Sequence, residues 1–264
     1  MIDDKISNEF LENGVVLLKQ IIEPSWILEL QKGLEYNFKK PSKYKCIYEE
    51  HNGKEIFYDD YCNWNRIKEY RNFIFNSNIS KIAASLMNSK KVNLFHEHVL
   101  VKEKGSKKRT PWHQDQGYYC VNGKDNVSIW IPLDKVDKNS SMEFIKGSHK
   151  WNKTFLPTKF QGYNYDHKDQ DFEKIPDIEN NRENYDIVSY ECDIGDAIAF
   201  NFATIHAAYG NNSNNRRRAF SLRLTGDDAR YIKRNGEMSP PFPEVNLKNN
   251  EILDSDTFPV LISS

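Results

Sequence analysis

Val92-Asn93-Leu94-Phe95-His96-Glu97-His98-Val99-Leu100-Val101-Lys102 is where the chain changes its period. Side chains on one face of an extended strand recur at every second position. Here Val92, Leu94, His96, His98, Leu100 and Lys102 fall on one face, with Asn93, Phe95, Glu97, Val99 and Val101 on the other. Upstream the apolar residues recur at helical spacing instead. Glu23-Pro24-Ser25 offers a helix start with proline in the first turn, and Trp26, Leu30, Leu34 and Phe38 form one stripe behind it. A second helix is expected over about 79–87, with Ile82, Ala83, Leu86 and Met87 turned inward. Gly14 to Leu18 reads as a short buried strand, and 41–65, polar and aromatic without a period, as a loop rimming a site.

Downstream the period stays at two. Val127, Ile129, Ile131 and Leu133 share one face, with Ser128, Trp130 and Pro132 opposite. Met142 to Ile145, Ile187 to Tyr190 and Arg217 to Leu224 read as further strands, and Ala197 to Phe202 runs extended into His206. Many short strands preceded by helices predict a mainly β fold with flanking helices, a jelly-roll barrel buttressed by N-terminal helices. The expected layout is one domain over 1–264. Helical support occupies about 1–90 and the barrel about 91–226. The polar stretch 152–186 is long enough to be a lid, and a tail with Pro240, Pro241, Pro243 and Pro259 wraps the domain as extended coil.

Composition narrows the function classes. The chain has 264 residues, 38% of them apolar and 28% charged, and its 37 Lys and Arg nearly cancel its 38 Asp and Glu. Balanced charge gives no electrostatic call for nucleic acid or an anionic membrane. The opening Met1-Ile2-Asp3-Asp4-Lys5 lacks a secretory pattern and no apolar run approaches a membrane span, so a cytoplasmic protein is expected. Cys46, Cys62, Cys120 and Cys192 are scattered and read as free thiols.

Chemistry concentrates at Thr110-Pro111-Trp112-His113-Gln114-Asp115. In an extended segment residues two apart share a face, so His113 and Asp115 can grip one metal ion. His206, at a strand end about ninety residues later, completes two histidines and one carboxylate. That set is the facial triad of non-haem Fe(II) oxygenases, which leaves coordination positions open for oxygen and a chelating co-substrate. A dicarboxylate co-substrate needs a cation for its far, buried end, and a bidentate arginine is the expected partner. Of Arg216, Arg217 and Arg218, only Arg217 shares a face with the small Ala219 and Ser221, and with Arg223. Arg217 is therefore the expected anchor, with Ser221 as a second hydrogen bond, whereas Arg216 reads as solvated. His96 reads as an ordinary strand residue with satisfied hydrogen bonds. Tyr118 and Tyr119, just past the metal pair, are candidates for shaping a substrate pocket.

The ordered blocks Pro111 to Asp115, Val127 to Asp134, Gly147-Ser148-His149-Lys150, and Gly195-Asp196 to His206 with Arg217-Arg218-Ala219 resemble the phytanoyl-CoA dioxygenase family, over roughly Gly14 to Leu224. The resemblance implies a double-stranded β-helix, cupin-like, that uses Fe(II), 2-oxoglutarate and O2. It implies His113, Asp115 and His206 as iron ligands, Arg217 as the 2-oxoglutarate anchor, Trp130 beside the co-substrate, and His98 as another co-substrate contact. Two positions depart from the family pattern. Ala208 stands where a small hydroxyl residue is common, two places after the distal histidine, and Ser140 replaces a frequent glycine. Asp115 is retained, which argues for hydroxylation or a related oxidation and against halogenation.

The resulting expectation is a dioxygenase hydroxylating a small molecule, with release of succinate and CO2. Desaturation or ring closure at the same site is the runner-up, and a non-catalytic barrel that binds metal or a small ligand is the reading from another class. Neither nucleic acid nor membrane is an expected partner.

Overall fold

A computed structural model describes residues 2–158 and 171–263. Two antiparallel sheets face each other. The larger runs Val15–Leu18, Ala197–Phe200, Asn126–Pro132, Arg217–Thr225, Lys91–Lys102, Lys54–Tyr61, Cys46–His51, with Val260–Ser263 also paired to the start of Lys91–Lys102. The smaller runs Ile187–Ser189, Met142–Ile145, His206–Ala208, Thr110–His113. Side chains of the two sheets meet between them, where Val15, Trp130, Ile198, Phe200 and Ala219 pack with Met142, Phe144 and Ala208. This is the jelly-roll arrangement that the alternating strands predict.

The outer face of the larger sheet is closed by helices. Pro24–Lys39 and Ile79–Met87 form where the stripes place them. Leu30, Leu34, Ile82 and Leu86 bury against Val127, Ile129, Ile131, Phe220, Leu222 and Leu224. Each such side chain removed from water contributes roughly 1.5–3 kcal/mol, so this layer holds the sheet rigid behind the site. Helices Asp4–Asn13 and Lys68–Asn76 also form, the first capped by the Asp3 carboxylate and by Gly14 in the left-handed region at φ 72°. Among the described residues no helix is long and apolar enough to cross a membrane.

Several expectations change. Residues 41–65 are not all loop: Cys46–His51 and Lys54–Tyr61 form a hairpin that extends the larger sheet, so the N-terminal support is not purely helical. The tail is not all coil, because Val260–Ser263 joins the sheet. In the run after Ala197, Ala197 and Ala199 pack towards the helices while Ile198 and Phe200 point between the sheets. Of the expected 152–186 lid, residues 159–170 lie outside the described residues, and Thr154–Phe155 and Phe172–Glu173 on either side pair in parallel.

The 92–102 alternation breaks. Arg223 pairs with His96 and Leu224 with Leu94, so Phe95 is the extra residue of a β-bulge. A one-residue insertion in a period of two swaps the faces. Val92 and Leu94 therefore pack with Val99 and Val101 on the helix side, whereas His96, His98 and Leu100 line the cavity between the sheets.

Candidate active site

Thr110–His113 and His206–Ala208 are neighbouring strands of the smaller sheet, and their register sets His206 directly opposite His113. Asp115 follows two residues after His113, where the chain turns into a short 3-10 segment. His113, Asp115 and His206 thus come together, each offering one ligating atom, all within 4.8 Å of one another. Asp115 Oδ1 lies 3.9 Å from His113 Nε2 and 3.8 Å from His206 Nε2. His113 Nδ1 bonds to the Pro111 carbonyl at 2.8 Å and His206 Nδ1 to the Thr204 carbonyl at 2.9 Å. A carbonyl only accepts, so each Nδ1 carries the proton and each Nε2 carries the lone pair that can ligate an ion.

Electrostatics prepares the same state. Burial, then the facing His206, pushes the His113 imidazole down to about 3, and burial lowers His206 as well. Burial alone would raise Asp115, but Arg223, then His206 and His113, and the Ser128 hydroxyl hold its carboxyl at about 2. Two neutral imidazoles and one carboxylate result, the donor set a divalent cation needs.

A cavity of about 380 Å³ opens over these three residues, and Trp130, His98, Arg217, Ser221, Tyr118 and Tyr119 all line it. The arginine triplet divides as the strand period predicts. Arg216 pairs with Glu103 at 2.7 Å and Arg218 with Asp134 at 2.7 Å, both on the outer side. Arg217 points inward and donates to the carbonyls of Ser140 and Tyr209, and no carboxylate among the described residues lies within ion-pair distance of it. Burial pulls its guanidinium down to about 10. Ser221 Oγ, on the same face, is buried without a hydrogen-bond partner among the described residues. Ala208 is in the cavity wall and brings no hydroxyl.

The remaining candidates divide between wall and frame. His98 Nε2 sits 2.8 Å from Asp59 Oδ2, which also accepts from the Tyr48 hydroxyl at 2.8 Å. Tyr118 packs edge-on to His113 with ring centroids 5.8 Å apart and exchanges hydrogen bonds with the Thr158 backbone. Tyr119 accepts from Arg223 Nε at 3.0 Å. His96 is not the satisfied strand residue expected: it lines the cavity, where its Nε2 has no partner among the described residues.

Two features of the cavity had no place in the sequence reading. Arg223, buried beside Asp115, had a usable signal, since it shares a period-two face with Arg217 and Ser221. Asp59 and Tyr48 had none, because they lie on a hairpin whose strands do not alternate in burial.

A model of the phytanoyl-CoA dioxygenase (PhyH) family matches residues 10–219. The chain belongs to the phytanoyl-CoA dioxygenase family. A phytanoyl-CoA dioxygenase of Arabidopsis thaliana is 26% identical over 181 residues, 66% of this chain, and the matched region spans 59% of that relative's length. Among solved structures, the non-haem α-ketoglutarate-dependent carbocyclase SnoK of nogalamycin biosynthesis is similar in fold, with a TM-score of 0.77, 19% identity, and 98% of this chain and 96% of SnoK covered. The epimerase SnoN, in complex with Fe3+, α-ketoglutarate and nogalamycin RO, has a TM-score of 0.74 at 18% identity, with 98% of each chain covered.

Proposed function

We propose that this PhyH-family member is a dioxygenase that hydroxylates a small-molecule substrate, using His113, Asp115 and His206 to hold Fe(II). The observation that carries the reading is the pairing of that cluster with a buried Arg217 that has no carboxylate partner among the described residues, in one cavity. The residues fit both groups. Two unprotonated Nε2 atoms and an ionised carboxylate oxygen are ligands for Fe(II), and a buried guanidinium is matched by the carboxylate that 2-oxoglutarate turns away from the metal.

Each wall residue has a task in this scheme. Arg217 binds the far carboxylate of 2-oxoglutarate and Ser221 Oγ adds a hydrogen bond, so the co-substrate enters in one orientation. Trp130, beside Ser221 across the strand pair, bounds the co-substrate with an apolar face and excludes water. His98, fixed by Asp59 and Tyr48, presents a polar ring to the co-substrate or substrate. Tyr118 and Tyr119 shape the side next to His113. Bound Fe(II) supplies the oxidative chemistry, in which O2 and 2-oxoglutarate give succinate and CO2 while one oxygen atom passes to a substrate C–H bond.

SnoK is described as a carbocyclase, and that favours keeping ring closure or desaturation at the same site as the second reading. A screen of candidate metabolites for succinate release above the substrate-free level, followed by product mass, separates the two. A gain of one oxygen atom supports hydroxylation, and a loss of two hydrogens supports the second reading. A protein that binds iron and 2-oxoglutarate but consumes no 2-oxoglutarate with any substrate favours the non-catalytic barrel.

A further inference from the structure

We infer that Arg223 is a positioning residue that fixes the orientation of Asp115, an inference that rests on His113, Asp115 and His206 being the metal ligands. The two oxygens of Asp115 face different surroundings. Oδ1 looks towards both imidazoles, at 3.9 and 3.8 Å from their Nε2 atoms. Oδ2 looks away, accepting from Ser128 Oγ at 3.0 Å and lying 3.7 Å from Arg223 Nε.

The strand register builds this clamp. Arg223 pairs with Ser128 across the antiparallel ladder, so the two side chains stand together on the cavity face and reach the same oxygen. Arg223 is itself held, its Nε donating to the Tyr119 hydroxyl at 3.0 Å and its Nη1 to the Ser221 carbonyl at 3.2 Å. Asp115 is the one carboxylate within 4.0 Å of this buried guanidinium among the described residues. A buried arginine carries a heavy desolvation cost that an apolar residue of similar volume would avoid. Its place here is accounted for by that carboxylate.

A carboxylate that can swing about its terminal bond can present either oxygen, or both, to an ion. With Oδ2 engaged by Ser128 and Arg223, Oδ1 alone faces the point shared with the imidazoles. A one-oxygen ligand leaves room on the metal for a co-substrate that chelates through two oxygens. Arg217 and Arg223, on one face of one strand, thus do different work: the first awaits a ligand's carboxylate, and the second holds the protein's own.

The test measures anaerobic Fe(II) affinity, by competition with a chromogenic chelator, and the visible absorption of the Fe(II)·2-oxoglutarate complex. Wild type is compared with Arg223→Gln, Arg223→Lys, Tyr119→Phe and Asp115→Ala, with folding followed by near-ultraviolet circular dichroism. Removing partners of a metal-ligating group typically weakens metal binding about 10- to 100-fold, and that loss is expected for Arg223→Gln, together with a shifted absorption band. Arg223→Lys should fall between it and wild type. Tyr119→Phe, which removes a hydroxyl that faces both Arg223 and Asp115, should weaken Fe(II) binding by about threefold in the same direction, and Arg223→Lys decides the matter if Arg223→Gln does not fold. Folded Arg223→Gln, or Arg223→Lys in its place, with wild-type affinity and band overturns the proposal, while loss of iron by Asp115→Ala leaves the ligand assignment standing. Wild-type iron affinity in Asp115→Ala overturns both.

Discussion

His113 and His206 stand directly opposite each other on antiparallel strands, their ring centroids 4.2 Å apart, each with Nδ1 bonded to the carbonyl two residues earlier in its own chain. This symmetry aims both Nε2 atoms at one point and fixes both tautomers through backbone carbonyls. Replacing either ring by alanine removes a ligand and leaves its partner's geometry in place. His113→Ala is therefore expected to fold and to lose Fe(II) at concentrations that saturate wild type, as measured by bound iron after desalting.

Metal binding should appear as stability. A ligand that binds only the folded state adds RT ln(1 + [L]/Kd), about 2.7 kcal/mol at a hundredfold excess over Kd. Chelator-stripped wild type is expected to gain several degrees in Tm on addition of Fe(II) under nitrogen, and Asp115→Ala to gain none. An equal gain in both would place the stabilising ion elsewhere.

Arg217 has no carboxylate of its own among the described residues, so its loss should be felt by the co-substrate and little by the fold. Hydrogen bonds to a charged group contribute about 1.5–3 kcal/mol, so Arg217→Ala should raise the KM for 2-oxoglutarate at least tenfold. Arg217→Lys should restore only part, because an ammonium cannot offer the paired donors of a guanidinium. Titration of 2-oxoglutarate at fixed substrate reads both.

Ala208 gives a test in the opposite direction. It lies in the cavity wall without a hydroxyl, and Ala208→Ser would place one there. One hydrogen bond made to a bound carboxylate is worth about 1 kcal/mol or more, so the KM for 2-oxoglutarate should fall severalfold. An unchanged or higher KM would mean that position 208 does not reach the co-substrate.

Asp196 ties the Val15–Leu18 strand region to its turn, accepting from Lys19 Nζ at 2.5 Å and from the backbone N–H groups of Gln20 and Asp193 at 2.9 Å each. Burial would raise its carboxyl, but Lys19 and then these N–H donors outweigh burial and hold it below the ordinary value. A carboxylate depressed in the folded state stabilises above its unfolded pKa of about 3.9, and that contribution is lost as pH falls through the folded value. Asp196→Asn should lower stability by about 1–2 kcal/mol at pH 7, and the gap to wild type should close as the pH is taken below about 4. Thermal melts across pH 3–7 would show it, and a gap that does not depend on pH would contradict the assignment.

What the sequence made legible follows from which signals are local. The helix stripes, the Val127–Leu133 alternation, and the inward turn of Arg217 between outward Arg216 and Arg218 are consequences of a fixed period, and they appear in the structure as read. The bulge at Phe95 is not local, since it depends on how Lys91–Lys102 pairs with Arg217–Thr225. Its effect is to part His96 from Val92 and Leu94, with which the plain alternation groups it, and its Nε2 faces the cavity with no partner among the described residues. The Cys46–Tyr61 hairpin carried no alternation because its two strands differ in exposure along their length. Arg223 was visible on the right face, but its partner Asp115 lies more than a hundred residues earlier in the chain, and only the fold brings them together.

Iron-dependent decarboxylation of 2-oxoglutarate by the purified protein under air, measured as succinate, tests the central claim most directly. Wild type loaded with Fe(II) should form succinate slowly without substrate, and His113→Ala and Arg217→Ala should not, while anaerobic wild type binds 2-oxoglutarate in the same preparation. Iron-loaded wild type that neither binds nor turns over 2-oxoglutarate would contradict the dioxygenase reading and leave a metal-binding barrel in its place.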